Sequence, residues 1–334
     1  MPNYNYTWQI IYLEIPMKTT IFISQPIPRA GIEMLEEAGL NVEINPEDRV
    51  LTKEELLDGC RGKDGLLCLL TDTIDREFID QMSQLKGIAI MAVGYNNIDV
   101  VAAAEKGIPV TNTPGVLTNA TADLAWALLM ATARRLPEAE RYLRSGEFKN
   151  WGPLLFLGGD LSGSTLGIIG AGRIGTAVGL RSTGFGMKIV YTDPAENPIL
   201  DELGGRRIEL NSLLQEADYI TLHVPLTGDT KRLIGRRELK LMKDTAYLIN
   251  TSRGPVVDEE ALVEALQSGT IAGAGLDVFE KEPHIHPALL SLPNAVLLPH
   301  IGSATIETRT KMAVMAAENL VAMMRGEVPE NQVN

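Results

Sequence analysis

The stretch Thr165-Leu166-Gly167-Ile168-Ile169-Gly170-Ala171-Gly172-Arg173-Ile174-Gly175, with Lys188-Ile189-Val190-Tyr191-Thr192-Asp193 after it, decides how the rest of the chain is read. An apolar strand-like run enters a Gly-x-Gly-x-x-Gly turn, a helical pattern follows, and a second apolar run ends in an acid eighteen positions after Gly175. In a βαβ unit of this length each glycine has a task. Gly170 makes the tight turn, Gly172 lets the backbone approach a pyrophosphate, and Gly175 lets helix and strand pack closely. The helix N-terminus presents free N–H groups and a positive dipole end to the phosphates. The Asp193 carboxylate accepts hydrogen bonds from both ribose hydroxyls and repels a 2′-phosphate. No Lys or Arg stands between Asp193 and Leu203 to offset it. The motif therefore predicts an NAD(H) site, with NAD(H) preferred over NADP(H).

Working outward, short apolar or β-branched runs alternate with helical patterns along the chain. Before the glycine turn the predicted strands are Thr20–Ser24, Asn41–Ile44, Gly65–Leu70, Gly87–Ala92 and Ile108–Thr111. From the turn onward they are Thr165–Ile169, Lys188–Thr192, Tyr219–Val224, Ala246–Asn250, Ala272–Leu276 and Ala295–Leu298. Several are apolar throughout, as parallel strands covered on both faces are, and strand–helix alternation predicts an α/β fold with doubly wound parallel sheets. A chain of 334 residues exceeds what one core usually serves, so two domains are expected. Asn112-Thr113-Pro114-Gly115 marks one boundary and Pro299-His300-Ile301-Gly302-Ser303 the other. Beyond it Ser303 is expected to cap a last helix that ends at Gly326. Its apolar face, Ala313, Ala316, Ala317, Leu320 and Met324, is expected to pack on the N-terminal domain. The expected organisation is thus discontinuous: residues 17–117 and 301–334 in a substrate-binding domain, and residues 118–300 in the NAD-binding domain.

Composition narrows the function classes. A formal net charge of -13 sets aside a general nucleic-acid binder. Cys60 and Cys68 are too few for a disulfide framework or a metal cluster, and Cys68 lies in an apolar run where a buried thiol is expected. No run of eighteen apolar residues occurs, so no membrane span is expected. Residues 1–16 have no basic leader and carry Glu14 in their apolar part. They read as an N-terminal extension rather than a signal peptide, with Met17 as the native start, and a cytoplasmic location is expected.

A nicotinamide site needs a partner that moves a proton while a hydride moves. Of four histidines, His223 and His300 end predicted strands, where ligands of open α/β sheets bind. His284 and His286 sit in a polar stretch. A lone histidine is more often structural, but His300 has company. Arg253 follows one strand in Thr251-Ser252-Arg253-Gly254, and Glu282 follows the next in Asp277–Pro283. Three successive strand ends offer Arg, Glu and His on one sheet edge.

Gly170–Gly175 with Arg173, the Asn250–Gly254 loop, Asp277–Pro283 and Pro299–Ser303 resemble the D-isomer-specific 2-hydroxyacid dehydrogenase family in order and spacing, from about residue 19 onward. Val93–Asp99, Thr113–Ala125 and Trp151-Gly152-Pro153 resemble its glyoxylate/hydroxypyruvate reductase branch. Asn96 departs, standing where Asp is commoner, with little expected consequence. The resemblance implies a Rossmann NAD-binding domain inserted in a flavodoxin-like substrate domain. It implies that His300 is general acid in reduction and base in oxidation, and that Glu282 hydrogen-bonds it and favours the imidazolium. Arg253 would hold the carboxylate and reacting carbonyl oxygen of a 2-keto acid. Backbone N–H groups around Val93 and Gly94 would bind the other carboxylate oxygen, with Leu70 and the Tyr95 region walling the pocket. The implied cofactor contacts are Gly170, Gly172, Arg173, Ile174, Gly175, Asp193, Pro225, Thr251, Gly302 and Asp277, the last against the nicotinamide amide. Thr121 reads either as a further cofactor contact or as a helix-start hydroxyl.

The implied reaction is NADH-dependent reduction of a small 2-keto acid, glyoxylate to glycolate first and hydroxypyruvate to D-glycerate second. No basic cluster marks the pocket segments for a phosphorylated substrate, and with the sequence running to residue 334 no appended regulatory domain is expected. The competing readings are another D-2-hydroxyacid or phosphite dehydrogenase, and a non-catalytic NAD-sensing scaffold like the corepressors of this fold. A formate dehydrogenase would carry Gln where Glu282 stands. The run from Ala122 to Ala133 is apolar on nearly all helical faces and is expected to be buried. It reads either as the homodimer interface that the resemblance implies or as a helix buried within one subunit.

Overall fold

The structure, a computed structural model, describes residues 19–334. The expected extension 1–16 and the start at Met17 lie outside them. Two compact units result: one runs to Val116 and resumes at Ile306–Asn334, and the other is Leu117–Thr305.

The first unit holds a parallel sheet of β1 (Thr20–Ile23), β2 (Asn41–Ile44), β3 (Gly65–Cys68), β4 (Gly87–Ile90) and β5 (Val110–Thr111), in the order β2-β1-β3-β4-β5. That is the flavodoxin-like doubly wound order. The inner strands β3 and β4 are buried at every residue, whereas the edge strand β2 alternates between exposed and half-buried positions. The expected strand Gly65–Leu70 stops at Cys68 for a definite reason. The Leu69 N–H donates to the Asp72 carboxylate at 2.7 Å, and Asn97 Nδ2 donates to the Leu69 carbonyl at 3.1 Å. Leu69 and Leu70 therefore leave the ladder and form a loop.

The last helix, Ile306–Met324, packs in this unit with Ala313, Ala316, Ala317 and Leu320 fully buried. It lies so close to the Arg29–Glu37 helix that a Cβ on Gly31 would stand 2.8 Å from Ala313 Cβ. The helix ends at Gly326 with φ +74, and the Glu327 N–H closes back on the Ala322 carbonyl. Its start corrects the expectation. The helix begins at Ile306, so Ser303 is not its cap residue, and the unit boundary falls after Thr305 rather than after residue 300. The His300 N–H donates to the Asp277 carbonyl, and the Ile301 and Gly302 N–H groups donate to its carboxylate. These bonds keep the 299–305 segment with the second unit. After the helix, the tail pairs antiparallel with β5, through Thr111 and Gln332 and a Val333 N–H bond to Val110, and covers that sheet edge.

The second unit holds β6 (Thr165–Ile169), β7 (Lys188–Thr192), β8 (Arg206–Arg207), β9 (Tyr219–Leu222), β10 (Tyr247–Asn250), β11 (Gly273–Leu276) and β12 (Ala295–Leu297). All pairs are parallel, in the order β12-β11-β10-β9-β6-β7-β8. β8 is a two-residue edge strand that carries no apolar signal and is missing from the sequence reading. The chain reverses direction across the sheet between β6 and β9. That switch point, beyond the carboxyl ends of the strands, is where such sheets bind ligands.

The Thr118–Ala133 helix buries Ala122, Ala125, Leu128 and Leu129 and packs on the Arg173–Ser182 helix and on β10 and β11 of its own unit, with Trp126 Nε1 donating to the Val178 carbonyl. Exposed apolar side chains follow it instead. Leu136, Leu143, Phe148, Trp151, Leu154 and Leu157 are between 48% and 80% exposed. Among the described residues no helix is long and apolar enough to cross a membrane, and no cluster of His, Cys, Asp or Glu could hold a metal ion.

Candidate active site

β6 runs into Gly170 at φ +93, where a Cβ would stand 2.7 Å from the His223 backbone carbon. A Cβ on Gly175 would stand 2.0 Å from the Gly170 oxygen. Both glycines are steric conditions of the turn itself. Gly172 is different. Its φ is −71, and no atom lies within 4 Å of the place a Cβ would take, so this side of the turn faces open space. No side chain caps the Arg173–Ser182 helix that follows. The first-turn N–H groups, with Ile174 half-buried behind them and Arg173 exposed beside them, are presented to an anion.

Asp193 stands one residue past β7. Its Oδ2 accepts the Ala171 N–H at 2.8 Å and its Oδ1 the Ala195 N–H at 2.9 Å. The carboxylate is pinned to the glycine turn and keeps lone pairs for hydroxyl donors. Beside it lies a cation that the sequence spacing concealed. Arg207, on β8, donates from Nε to the Asp193 carbonyl at 2.9 Å and from Nη2 to the Pro194 carbonyl at 2.7 Å. Further along the strand ends, Thr251 Oγ1 and His223 Nδ1 are buried without a hydrogen-bond partner, and Pro225 is exposed. Orphaned polar atoms past β9 and β10, together with the open face at Gly172, fit a dinucleotide bound along the carboxyl ends of β6, β7, β9 and β10.

The chemistry gathers at the next three strands. Asn250 folds the loop after β10. Its Oδ1 accepts the Ser252 N–H and hydroxyl at 3.0 and 2.8 Å, and its Nδ2 donates to the Arg253 carbonyl at 3.0 Å. This Asx-type turn was legible in Asn250-Thr251-Ser252, although no role was assigned to Asn250 from sequence. A Cβ on Gly254 would stand 1.8 Å from the Phe279 oxygen, so the Arg253 loop lies directly on the loop that carries Glu282. The Arg253 guanidinium donates from Nη1 to the Ser252 carbonyl at 2.7 Å. Burial pulls its pKa below the usual value and Glu282 opposes that shift, yet an arginine remains protonated.

Glu282 accepts the Phe279 N–H on Oε1 at 2.9 Å and pairs through Oε2 with His300 Nδ1 at 2.8 Å. Burial works against its charge. The hydrogen bond and charge of His300, the Phe279 N–H and Arg253 together outweigh burial and hold the carboxyl below its usual range. A carboxylate on Nδ1 assigns the proton to that nitrogen and leaves Nε2 as the working atom. His300 itself sits at φ +54, in a turn built by Asp277. The Asp277 carboxylate accepts the Ile301 and Gly302 N–H groups at 2.8 Å each. Burial raises its pKa, opposed by the Ile301 N–H, the His300 charge and the Gly302 N–H. Besides the nicotinamide role expected for it, Asp277 thus aims His300. Thr121 packs against the same turn: a Cβ on Gly302 would lie 3.5 Å from its methyl group. Thr121 is inside the helix rather than at its start, where Leu117 holds the cap position.

His223, the other positional candidate, binds Thr221 Oγ1 through Nε2 at 2.8 Å, and burial pushes its pKa down to about 3. It stays neutral and supplies no acid. The His286 ring is engaged with Glu260. In the first unit, Leu70, Val93 and Gly94 stand past the carboxyl ends of β3 and β4. Asn112 Nδ2 holds the Val93 carbonyl at 2.8 Å, and Asn97 Nδ2 ties together the Leu69 and Asp72 carbonyls. A carboxylate-paired imidazole near a guanidinium, at strand ends beside a dinucleotide turn, can polarise a carbonyl and exchange a proton with its oxygen.

Residues 126–302 match the sequence model of the D-isomer specific 2-hydroxyacid dehydrogenase, NAD binding domain. The chain is 52% identical over 323 residues to a glyoxylate reductase of Thermococcus litoralis, covering 95% of this chain and 97% of that one. It is similar to the crystal structure of a glyoxylate reductase from Paecilomyes thermophila, with TM-score 0.84 and 36% identity over 95% and 98% of the two chains. It is also similar to an NADPH-dependent glyoxylate/hydroxypyruvate reductase from Sinorhizobium meliloti, solved with NADP and malonate, with TM-score 0.82 and 35% identity over 95% and 97%.

Proposed function

Since the chain belongs to the D-isomer-specific 2-hydroxyacid dehydrogenase family, we propose that it reduces glyoxylate to glycolate with NADH, and hydroxypyruvate to D-glycerate as a second reaction. The observation that carries this reading is the His300–Glu282 pair, joined at 2.8 Å on the sheet edge that also holds Arg253. When bound along these strand ends, NADH would supply the hydride for the keto carbon. Arg253 holds the substrate carboxylate and faces the reacting oxygen, where a largely desolvated guanidinium stabilises growing negative charge. His300 Nε2 gives its proton to that oxygen, while Glu282 keeps the ring oriented through Nδ1 and stabilises its charged form before transfer. In oxidation the same nitrogen takes the proton back. Leu70 and the backbone N–H groups of Val93 and Gly94 are assigned to the substrate, and Thr121, Thr251 and Asp277 to the nicotinamide end of the cofactor.

The preference for NADH rests on the Asp193 carboxylate at the ribose position, where a 2′-phosphate would meet like charge. Arg207 beside it moderates that repulsion, so discrimination against NADPH is finite. The exposed apolar side chains between Leu136 and Leu157 support a homodimer formed through that segment. A reducing compartment, the cytoplasm, suits two buried free thiols at Cys60 and Cys68.

The test is NADH consumption followed by absorbance with glyoxylate, hydroxypyruvate, pyruvate and phosphohydroxypyruvate, and NAD+ reduction with phosphite. Glyoxylate is expected to show the highest kcat/KM, followed by hydroxypyruvate. Tight NADH binding with no turnover of any 2-keto acid would replace this reading by an NAD-sensing scaffold. A higher kcat/KM for pyruvate or phosphite would reassign the substrate.

A further inference from the structure

We propose that Glu259 is a positioning residue that clamps both stems of the Glu282 loop and so sets the geometry of the Glu282–His300 pair. The inference rests on the reading of that pair as the proton-transfer unit. Glu259 is the first residue of the Glu259–Ser268 helix, where the dipole favours a negative charge. Its Oε2 accepts the Glu280 N–H at 2.9 Å, and its Oε1 accepts the His286 N–H at 2.9 Å. The segment between these two donors contains Glu282 and reverses direction, with the His284 N–H bonded to the Lys281 carbonyl at 2.8 Å. One carboxylate thereby closes both ends of the loop.

Glu280 braces the first stem from outside. Its Oε1 accepts Arg232 Nη2 at 2.9 Å, and its Oε2 accepts the Glu259 N–H at 3.4 Å. The charged groups facing Glu259 are thus Glu280 and Arg232 with Asp258, and on its own helix Glu260 paired with the His286 ring. Those facing the pair are Arg253 and Asp277. Glu259 contacts neither of the two proton-transfer side chains, so its effect passes through the backbone of the loop. Two charge-assisted bonds from one rigid carboxylate fix the separation of the stems. With them removed, Glu282 Oε2 drifts from His300 Nδ1, and an error of about 1 Å at a catalytic contact is enough to slow turnover about a hundredfold.

The experiment compares wild type with Glu259→Ala, Glu259→Gln and, as a control, Glu282→Gln. It reads kcat, KM, the pH profile of glyoxylate reduction, and NADH affinity by fluorescence titration. Glu259→Ala is expected to lower kcat about tenfold to a hundredfold with KM little changed. Its pH profile should move in the same direction as that of Glu282→Gln. NADH affinity should be unchanged. Glu259→Gln keeps one acceptor oxygen and turns an NH2 group toward the other stem, so it should fall between, and it carries the test if the alanine variant does not fold. Wild-type kcat and pH profile in both Glu259 variants, or lowered thermal stability alone, would overturn the clamp while Glu282→Gln remains slow and shifted. An unshifted Glu282→Gln would instead overturn the pair, and the clamp with it.

Discussion

Alanine at Gly172 and at Gly175 should have opposite consequences, although both belong to one six-residue motif. At Gly175 the new Cβ would stand 2.0 Å from the Gly170 oxygen and 3.1 Å from Ile168 Cγ2. The first neighbour is backbone in the turn itself and has nowhere to retreat. Overpacking of this kind costs about 3 kcal/mol or more, and the better helix propensity of alanine offsets only about 1 kcal/mol. For a unit of this size the melting temperature should fall by about 5 °C or more. At Gly172 nothing lies within 4 Å and φ is −71, so the fold meets no clash. Alanine is the poorer residue at a helix N-cap by about 0.5–1 kcal/mol. Its smaller unfolded-state freedom contributes about 0.4–1 kcal/mol in the other direction. Stability should therefore stay within about 1 kcal/mol of wild type. The methyl group instead occupies the space through which a pyrophosphate reaches the helix N–H groups. Loss of one charge-assisted hydrogen bond is worth about 1.5–3 kcal/mol, which is roughly a ten- to hundredfold rise in Kd. Thermal melts and NADH fluorescence titrations on the two variants separate the effects. Wild-type NADH affinity in Gly172→Ala, or a loss of melting temperature as large as that of Gly175→Ala, would refute the reasoning.

Arg253→Ala should raise KM and lower kcat together, whereas His300→Ala should lower kcat by about 10²–10⁴ and leave KM nearly intact; steady-state kinetics with the reverse pattern would exchange the two roles. Asp193→Ala should narrow the NADH-over-NADPH ratio of kcat/KM and Arg207→Ala should widen it, and unchanged ratios would remove both residues from cofactor discrimination. The Glu282 carboxyl is held below its ordinary value of 4.5, so the stability it contributes is present above that pH and is lost as pH falls through the lower folded value. Thermal melts across that acidic range should fall more steeply for wild type than for Glu282→Gln, and parallel curves would sink the assignment. Small-angle scattering should give the mass of a dimer, and Trp151→Asp with Leu154→Asp should give a monomer; a monomeric wild type would count against the segment as an interface.

Much of this site was legible in the chain because its signals are local. Apolar runs between turn residues placed eleven of the twelve strands among the described residues. The glycine turn, Asp193, and Arg253, Glu282 and His300 then followed as residues just past strand ends. β8 escaped because Arg206-Arg207 is too short and too polar to show a period, and Arg207 escaped with it. The early end of β3 and the displaced start of the last helix have one cause. In each, an aspartate side chain, Asp72 or Asp277, captures backbone N–H groups close to the predicted boundary. Backbone donors carry no mark in the sequence, so neither capture shows in it.

The sequence by itself therefore determined the parallel α/β architecture and the dinucleotide turn, and it nominated the three side chains proposed for the chemistry. Each depends on spacing within a few residues, which the covalent chain enforces. Only the tertiary structure decided that Arg207 returns beside Asp193, and that Asp277 and Glu259 hold the loops of the reacting groups. Those contacts join segments brought together by strand order, and a hydrogen bond between distant segments exists only once the sheet has set their distance.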